Sequence, residues 1–240
     1  MGRGEFKGAI FDMDGVLTKT AAIHAKAWKT LFDGVLKERE GNDFVPFDMD
    51  RDYKQYVDGK SRLDGIRSFL GSRSIELEEG KPGDRAKDTV HGLGERKNEI
   101  FLALISKEGI EVYPDSIALI KKWRKDMKMA VISASKNCGK ILESAGIFDL
   151  FETRIDGIVS EKRRLKGKPD PAIFLEASKE LQVPPQKCIV FEDAQAGVEA
   201  AKKGGFGLVV GVARNGNHEA LRAHGADLVL NNLEDIDQNY

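Results

Sequence analysis

The chain has 240 residues, enough for one large domain or for a core domain with a smaller insert. Hydrophobic residues at 41% and charged residues at 32% are ordinary for a soluble globular protein, and a formal net charge of −1 gives no sign of nucleic acid as the main partner. The opening stretch MGRGEFKG lacks the apolar region of a signal peptide, Phe6 stands where a myristoylation signal wants Ser or Thr, and no apolar run nears the roughly 18 residues that span a bilayer, so a cytoplasmic protein with no membrane partner is expected.

In chain order, the first predicted element is a strand at 8–11, a continuous apolar run suited to burial on both faces. Helical stretches follow at 21–36, 63–70 and 95–107, interrupted by the polar segment 37–52 and the Gly/Glu/Lys-rich segment 71–94. From there strands and helices alternate. A helix is predicted at 116–125, a strand at 129–132, a helix at 137–145, a weaker strand at 155–159 and a helix at 171–181. A strand at 188–191, a helix at 194–203, a strand at 206–212 and a weaker strand at 227–230 complete the series. Such alternation predicts a Rossmann-like α/β core with a parallel sheet covered on both faces. The gap of about a hundred residues after the first strand is too long for a structureless loop. It is expected to fold as a small helical cap at 19–110, inserted into a core formed by 1–18 and 111–240. Cys138 and Cys188 have no C-x-x-C spacing and are read as reduced, buried thiols.

The chemistry gathers where strands end, which is where open α/β sheets bind ligands. Asp12 and Asp14 close the first strand, and Gly15 permits a sharp turn away. Taken alone, this is also the composition of a surface turn. Glu192 and Asp193 follow the strand at 188–191, where they can equally be the acidic N-terminus of the next helix. Three or four carboxylates at one edge call for a cation, and oxygen ligands favour Mg²⁺. Ser133, Ala134, Ser135, Lys136 and Asn137 offer hydroxyls and main-chain N–H groups to a phosphate, although a plain N-cap by Ser135 reads the same way. Lys168, in the stiff loop Gly167-Lys168-Pro169-Asp170-Pro171, is either a phosphate neutraliser or a solvated lysine.

The four signatures, expected at four successive strand ends, resemble the haloacid dehalogenase superfamily of phosphotransferases and span nearly the whole core. The resemblance implies that Asp12 is the nucleophile, forming an aspartyl-phosphate, and that Asp14 is the general acid and base, its main-chain carbonyl also contacting Mg²⁺. It further implies that Ser133 and Lys168 hold the phosphoryl oxygens and that Glu192 and Asp193 complete the metal site. The second Asp and the acidic pair argue for phosphate rather than halide chemistry.

Stretches at 14–28 (DGVLTKTAAIHAKAW), 58–62 (DGKSR), 96–98 (RKN) and 133–137 (SASKN) resemble the β-phosphoglucomutases more closely. That resemblance implies a magnesium-dependent monomer acting on β-glucose 1-phosphate and glucose 6-phosphate through glucose 1,6-bisphosphate. Arg62, Ser135, Lys136 and Asn137 would grip the second phosphate, with Gly59, Trp28 and Ala134 also at the substrate. His24 and Lys97 would gate Asp14. Lys19 stands where that pattern usually has Asp, and a cation there would push a neighbouring His toward neutrality. The segment 37–56 is longer and more charged than the usual cap. A phosphatase of the same superfamily needs only the first phosphate site and is the alternative. A non-catalytic phosphoacceptor or binding module is the remoter one.

Overall fold

A computed structural model describes residues 5–214 and 216–236. Residues 1–4, with the start of the MGRGEFKG stretch, residue 215 and the last four residues of the expected core lie outside the described residues. The chain divides into two compact units, one of residues 1–19 with 110–240 and one of residues 20–109.

The first unit holds a six-stranded, all-parallel sheet. Its strands are β1 (Gly8–Asp12), β2 (Lys128–Ile132), β3 (Thr153–Ile155), β4 (Cys188–Glu192), β5 (Leu208–Val212) and β6 (Leu228–Leu230). Across the sheet they run β3-β2-β1-β4-β5-β6, so the order switches direction at β1. Helices α4 (Pro114–Trp123), α5 (Cys138–Ser144), α6 (Gly157–Arg163), α7 (Ala172–Leu181), α8 (Gln195–Lys203) and α9 (His218–Ala223) connect the strands. β1, β4 and β5 are buried along their whole length, which is why they read as unbroken apolar runs. α7 lays Ile173, Phe174, Ala177 and Leu181 on the core in a helical repeat.

One predicted strand changes character. The run expected as a strand at 155–159 stops at Ile155, because Asp156 accepts the N–H groups of Ile158 and Val159 (3.0 Å each) and starts α6.

The second unit contains helices α1 (Thr20–Glu40), α2 (Arg62–Ser72) and α3 (Val90–Glu108). Its core is aromatic. Phe32 meets Trp28 at 5.1 Å, Phe69 at 4.2 Å and Phe47 at 5.3 Å between ring centroids. α1 runs through the start of the polar segment expected at 37–52, and Lys37 and Arg39 suit its negative C-terminal end. α3 begins at Val90 rather than 95, because Thr89 caps it by accepting the N–H of Gly92 (3.0 Å). Glycines 92 and 94 had made that turn read as loop. A π-helical turn, Tyr53–Val57, lies within the charged stretch. Among the described residues, no helix is long and apolar enough to cross a membrane.

Candidate active site

Strand register builds the centre of the site. Phe11 pairs with Phe191, so the next residues, Asp12 and Glu192, end β1 and β4 side by side. Asp12 pairs with Ile132 on the other flank, so Ser133 lies one residue beyond it. The stacked rings of Phe11 and Phe191, 4.5 Å apart, fix the two strand ends.

Lys168 reaches this point from the loop between α6 and α7, not from a strand end as the sequence had suggested. No strand lies between β3 and β4, so the loop itself carries the lysine to the sheet edge. Its Nζ donates to Asp12 Oδ1 and to Glu192 Oε2, both at 2.7 Å. All three residues are buried, Asp12 at 5% exposure and Glu192 at 0%. The Phe174 ring lies 5.4 Å from the ammonium.

The electrostatics follow from one ammonium facing two carboxylates. Burial pushes the Asp12 carboxyl above its ordinary value and the Asp14 charge adds to this, while Lys168 opposes both. Burial and the Asp12 charge push Glu192 up in the same way, again against Lys168. Burial alone would lower the Lys168 ammonium, but the two carboxylates outweigh it and hold it above its ordinary value. The cluster is short of positive charge.

Carboxylate oxygens of Asp12, Glu192 and Asp193 lie within 4.8 Å of one another. An all-oxygen donor set with excess negative charge fits a hard divalent cation. Two glycines make the close approaches possible. At Gly15, with φ +84°, a Cβ would fall 1.8 Å from Asp193 Oδ2. At Gly197 on α8, a Cβ would fall 2.1 Å from the Glu192 carboxyl carbon.

The Asp14 carboxylate accepts the Ser133 hydroxyl at 3.3 Å. Ser133 Oγ accepts the N–H of Ser135, and Ser135 Oγ accepts that of Asn137, both at 3.1 Å, so the stretch 133–137 is a wound loop of main-chain donors. Ala134 lies inside it, and its carbonyl would be 2.7 Å from a Cβ on Gly157. Lys136 makes an exposed ion pair with Glu161 of α6 at 2.8 Å.

Five of the expected residues belong to the 20–109 unit. Lys97, 3% exposed, puts Nζ 2.6 Å from His24 Nδ1 and lies 4.7 and 4.8 Å from the rings of Trp28 and Phe101. His24 stacks on Phe101 at 3.9 Å. Trp28 is buried and also packs on Phe32, so it is part of the unit's core. Gly59, with φ +70°, precedes the N-cap Ser61, and Arg62 Nη1 donates to the Gly94 carbonyl at 2.8 Å. Lys19, in the other unit, is engaged by Glu111 at 2.7 Å.

Sequence reasoning missed Gly197, Phe174 and Glu161. Gly197 was detectable as a glycine inside a helical pattern five residues after Glu192. The other two carry no local signal, since only the fold brings them to Lys168 and Lys136.

A buried carboxylate held by a lysine beside a serine and two further acids is equipment for phosphoryl transfer. Residues 6–205 match the haloacid dehalogenase-like hydrolases, and the chain belongs to that family of enzymes. It is 43% identical over 238 residues to a β-phosphoglucomutase of Mycobacterium bovis, covering 96% of this chain and 91% of that one. A β-phosphoglucomutase of Bacillus subtilis is 34% identical over 232 residues, covering 96% and 91%. The crystal structure of a β-phosphoglucomutase from Clostridium difficile superposes with a TM-score of 0.76 at 30% identity, covering 98% of this chain and 97% of that one.

Proposed function

We propose that this enzyme is a sugar phosphate mutase that interconverts β-glucose 1-phosphate and glucose 6-phosphate through an aspartyl-phosphate on Asp12. The observation that carries the reading is Asp12 at the end of β1, gripped by Lys168 at 2.7 Å and grouped with Glu192 and Asp193. The 43% identity to the mycobacterial mutase supports the substrate class.

In the first step an Asp12 carboxylate oxygen attacks the 1-phosphate phosphorus of glucose 1,6-bisphosphate, and the P–O bond to the C1 oxygen breaks, leaving glucose 6-phosphate. Asp14 gives that oxygen its proton. In the second step Asp14 takes the proton from the free 6-hydroxyl of β-glucose 1-phosphate, whose oxygen takes the phosphoryl group from Asp12 and re-forms the bisphosphate. Ser133 and Lys168 bind the transferring oxygens. Asp12, Glu192 and Asp193 would hold Mg²⁺, which supplies charge neutralisation for the phosphoryl group. Ser135, Lys136 and Asn137 bind the second phosphate, and Arg62 binds it with its planar fork. The division at 19/20 and 109/110 supports treating 20–109 as a separately folded cap, in which Lys97 and His24 meet at 2.6 Å.

A ³¹P NMR time course with Mg²⁺, β-glucose 1-phosphate and a trace of glucose 1,6-bisphosphate tests this. Growth of glucose 6-phosphate without inorganic phosphate is the expected result. Growth of inorganic phosphate alone makes the enzyme a phosphatase.

A further inference from the structure

The turn that carries Asp14 is closed partly by its own backbone. Gly15 N–H donates to the Thr18 carbonyl at 2.8 Å, and Leu17 and Thr18 donate to the Met13 carbonyl at 2.9 and 3.0 Å. A further bond reaches it from α4. The fully buried Ser116 hydroxyl donates to the Val16 carbonyl at 2.6 Å.

Ser116 is itself directed. Arg214 Nη2 donates to Ser116 Oγ at 2.8 Å, which uses the hydroxyl as acceptor and commits its proton to Val16. Arg214 Nη1 donates to Asp115 Oδ2 and to the Asn231 carbonyl, both at 2.7 Å, and the guanidinium lies 4.2 Å from the Tyr113 ring. Asp115 Oδ2 also accepts the N–H of Leu233 at 2.8 Å. Both side chains of the ion pair are close to nine-tenths buried, so this fork is fixed rather than fluttering on the surface. Three residues after Arg214, Asn217 Nδ2 donates to the main-chain carbonyl of Asp193 at 3.2 Å. One short stretch after β5 therefore reaches toward both acidic elements of the site.

We propose that Arg214 is a positioning residue for phosphoryl transfer, holding the Asp14 turn through Ser116 and the Val16 carbonyl. This rests on the reading of Asp14 as the general acid and base. Arg214 touches no reacting atom. Its effect is to keep the Asp14 carboxyl where a leaving oxygen can take its proton, and a displacement of about 1 Å in such a group costs roughly 100-fold in rate.

The test compares two leaving groups. A sugar oxygen needs a proton to leave, whereas p-nitrophenolate does not. Arg214→Met and Ser116→Ala are expected to slow phosphoryl transfer from the sugar phosphate to the enzyme roughly 10- to 100-fold while slowing the single-turnover release of p-nitrophenolate from p-nitrophenyl phosphate by less than about 3-fold, with circular dichroism showing folded protein. Ser116→Ala removes a single oxygen and carries the test if Arg214→Met fails to fold. Equal losses on both substrates, or none, overturn the proposal. Asp14→Asn is run alongside. If it shows the leaving-group split and the other two variants do not, only the role of Arg214 falls. If Asp14→Asn shows no split, the acid–base reading itself falls, and the role of Arg214 with it.

Discussion

The two units bury a lysine in opposite ways. In the 1–19/110–240 unit, Lys168 sits between two carboxylates at 2.7 Å each. In the 20–109 unit, Lys97 lies against the rings of Trp28 and Phe101 with its Nζ on a histidine nitrogen. The first arrangement arises where parallel strands in register deliver Asp12 and Glu192 together, and only a cation relieves them. The second arises among helices whose core is aromatic, where cation–π attraction of about 0.5–2 kcal/mol holds the ammonium. The strand-end lysine is thus an electrostatic requirement, and the helical one is set among aromatic rings beside a histidine.

The largest expected effect tests what the charged cluster is for. Asp12→Asn should lower turnover on the order of 10⁴- to 10⁶-fold, as loss of a nucleophile does. It should leave the melting temperature unchanged or raised, because one of two crowded carboxylates is gone. A large loss of both activity and stability would make Asp12 structural.

The next effect separates the two lysines. Lys168→Met leaves Asp12 and Glu192 facing each other uncompensated and should cost about 3–5 kcal/mol in urea denaturation. Lys97→Met should cost no more than about 2 kcal/mol, since methionine also packs well against rings. Equal costs would erase the distinction drawn above.

A smaller effect follows from linkage. Asp12 and Glu192 have folded-state values above their unfolded ones, so the stability they give is complete below the ordinary carboxylate range and lost as pH rises through the raised values. Metal binding displaces the retained proton, so it strengthens over the same window. Thermal melts should therefore show a greater gain from Mg²⁺ at pH 8 than at pH 5.5. A gain independent of pH would contradict the buried acidic site.

The smallest signal distinguishes the units kinetically. Both cysteines lie in the sheet-bearing unit, where burial pushes Cys188 up to about 12 and Cys138 well above its ordinary value. At pH 8 Ellman's reagent should react with neither until that unit opens, so in a Trp123→Phe variant, where Trp28 is the remaining tryptophan, thiol exposure lagging behind the fluorescence change would show the helical unit opening first. Rapid labelling of native protein would contradict the burial.

The sheet was legible because strands buried on both faces leave continuous apolar runs, and its acidic ends were legible because register is local to those runs. Helix starts were harder. Thr89 and Asp156 set α3 and α6 by side-chain caps, which glycines and β-branched residues nearby concealed. Asp12, Asp14, Ser133, Glu192 and Asp193 could be picked out as candidates because each ends or follows a strand. Lys168 was found as a residue but not as a place, since its loop reaches the sheet edge without a strand. Gly197, Phe174, Glu161 and Arg214 act on partners between 5 and about a hundred residues away in sequence, a separation that periodicity does not report.

The most direct measurement is peptide mapping of the protein after brief mixing with Mg²⁺ and glucose 1,6-bisphosphate and an acid quench. The account requires a phosphoryl group on the tryptic peptide 8–19 that is absent from Asp12→Asn. A phosphoryl group on another peptide, or turnover with no trapped phosphoenzyme and an active Asp12→Asn variant, would contradict it.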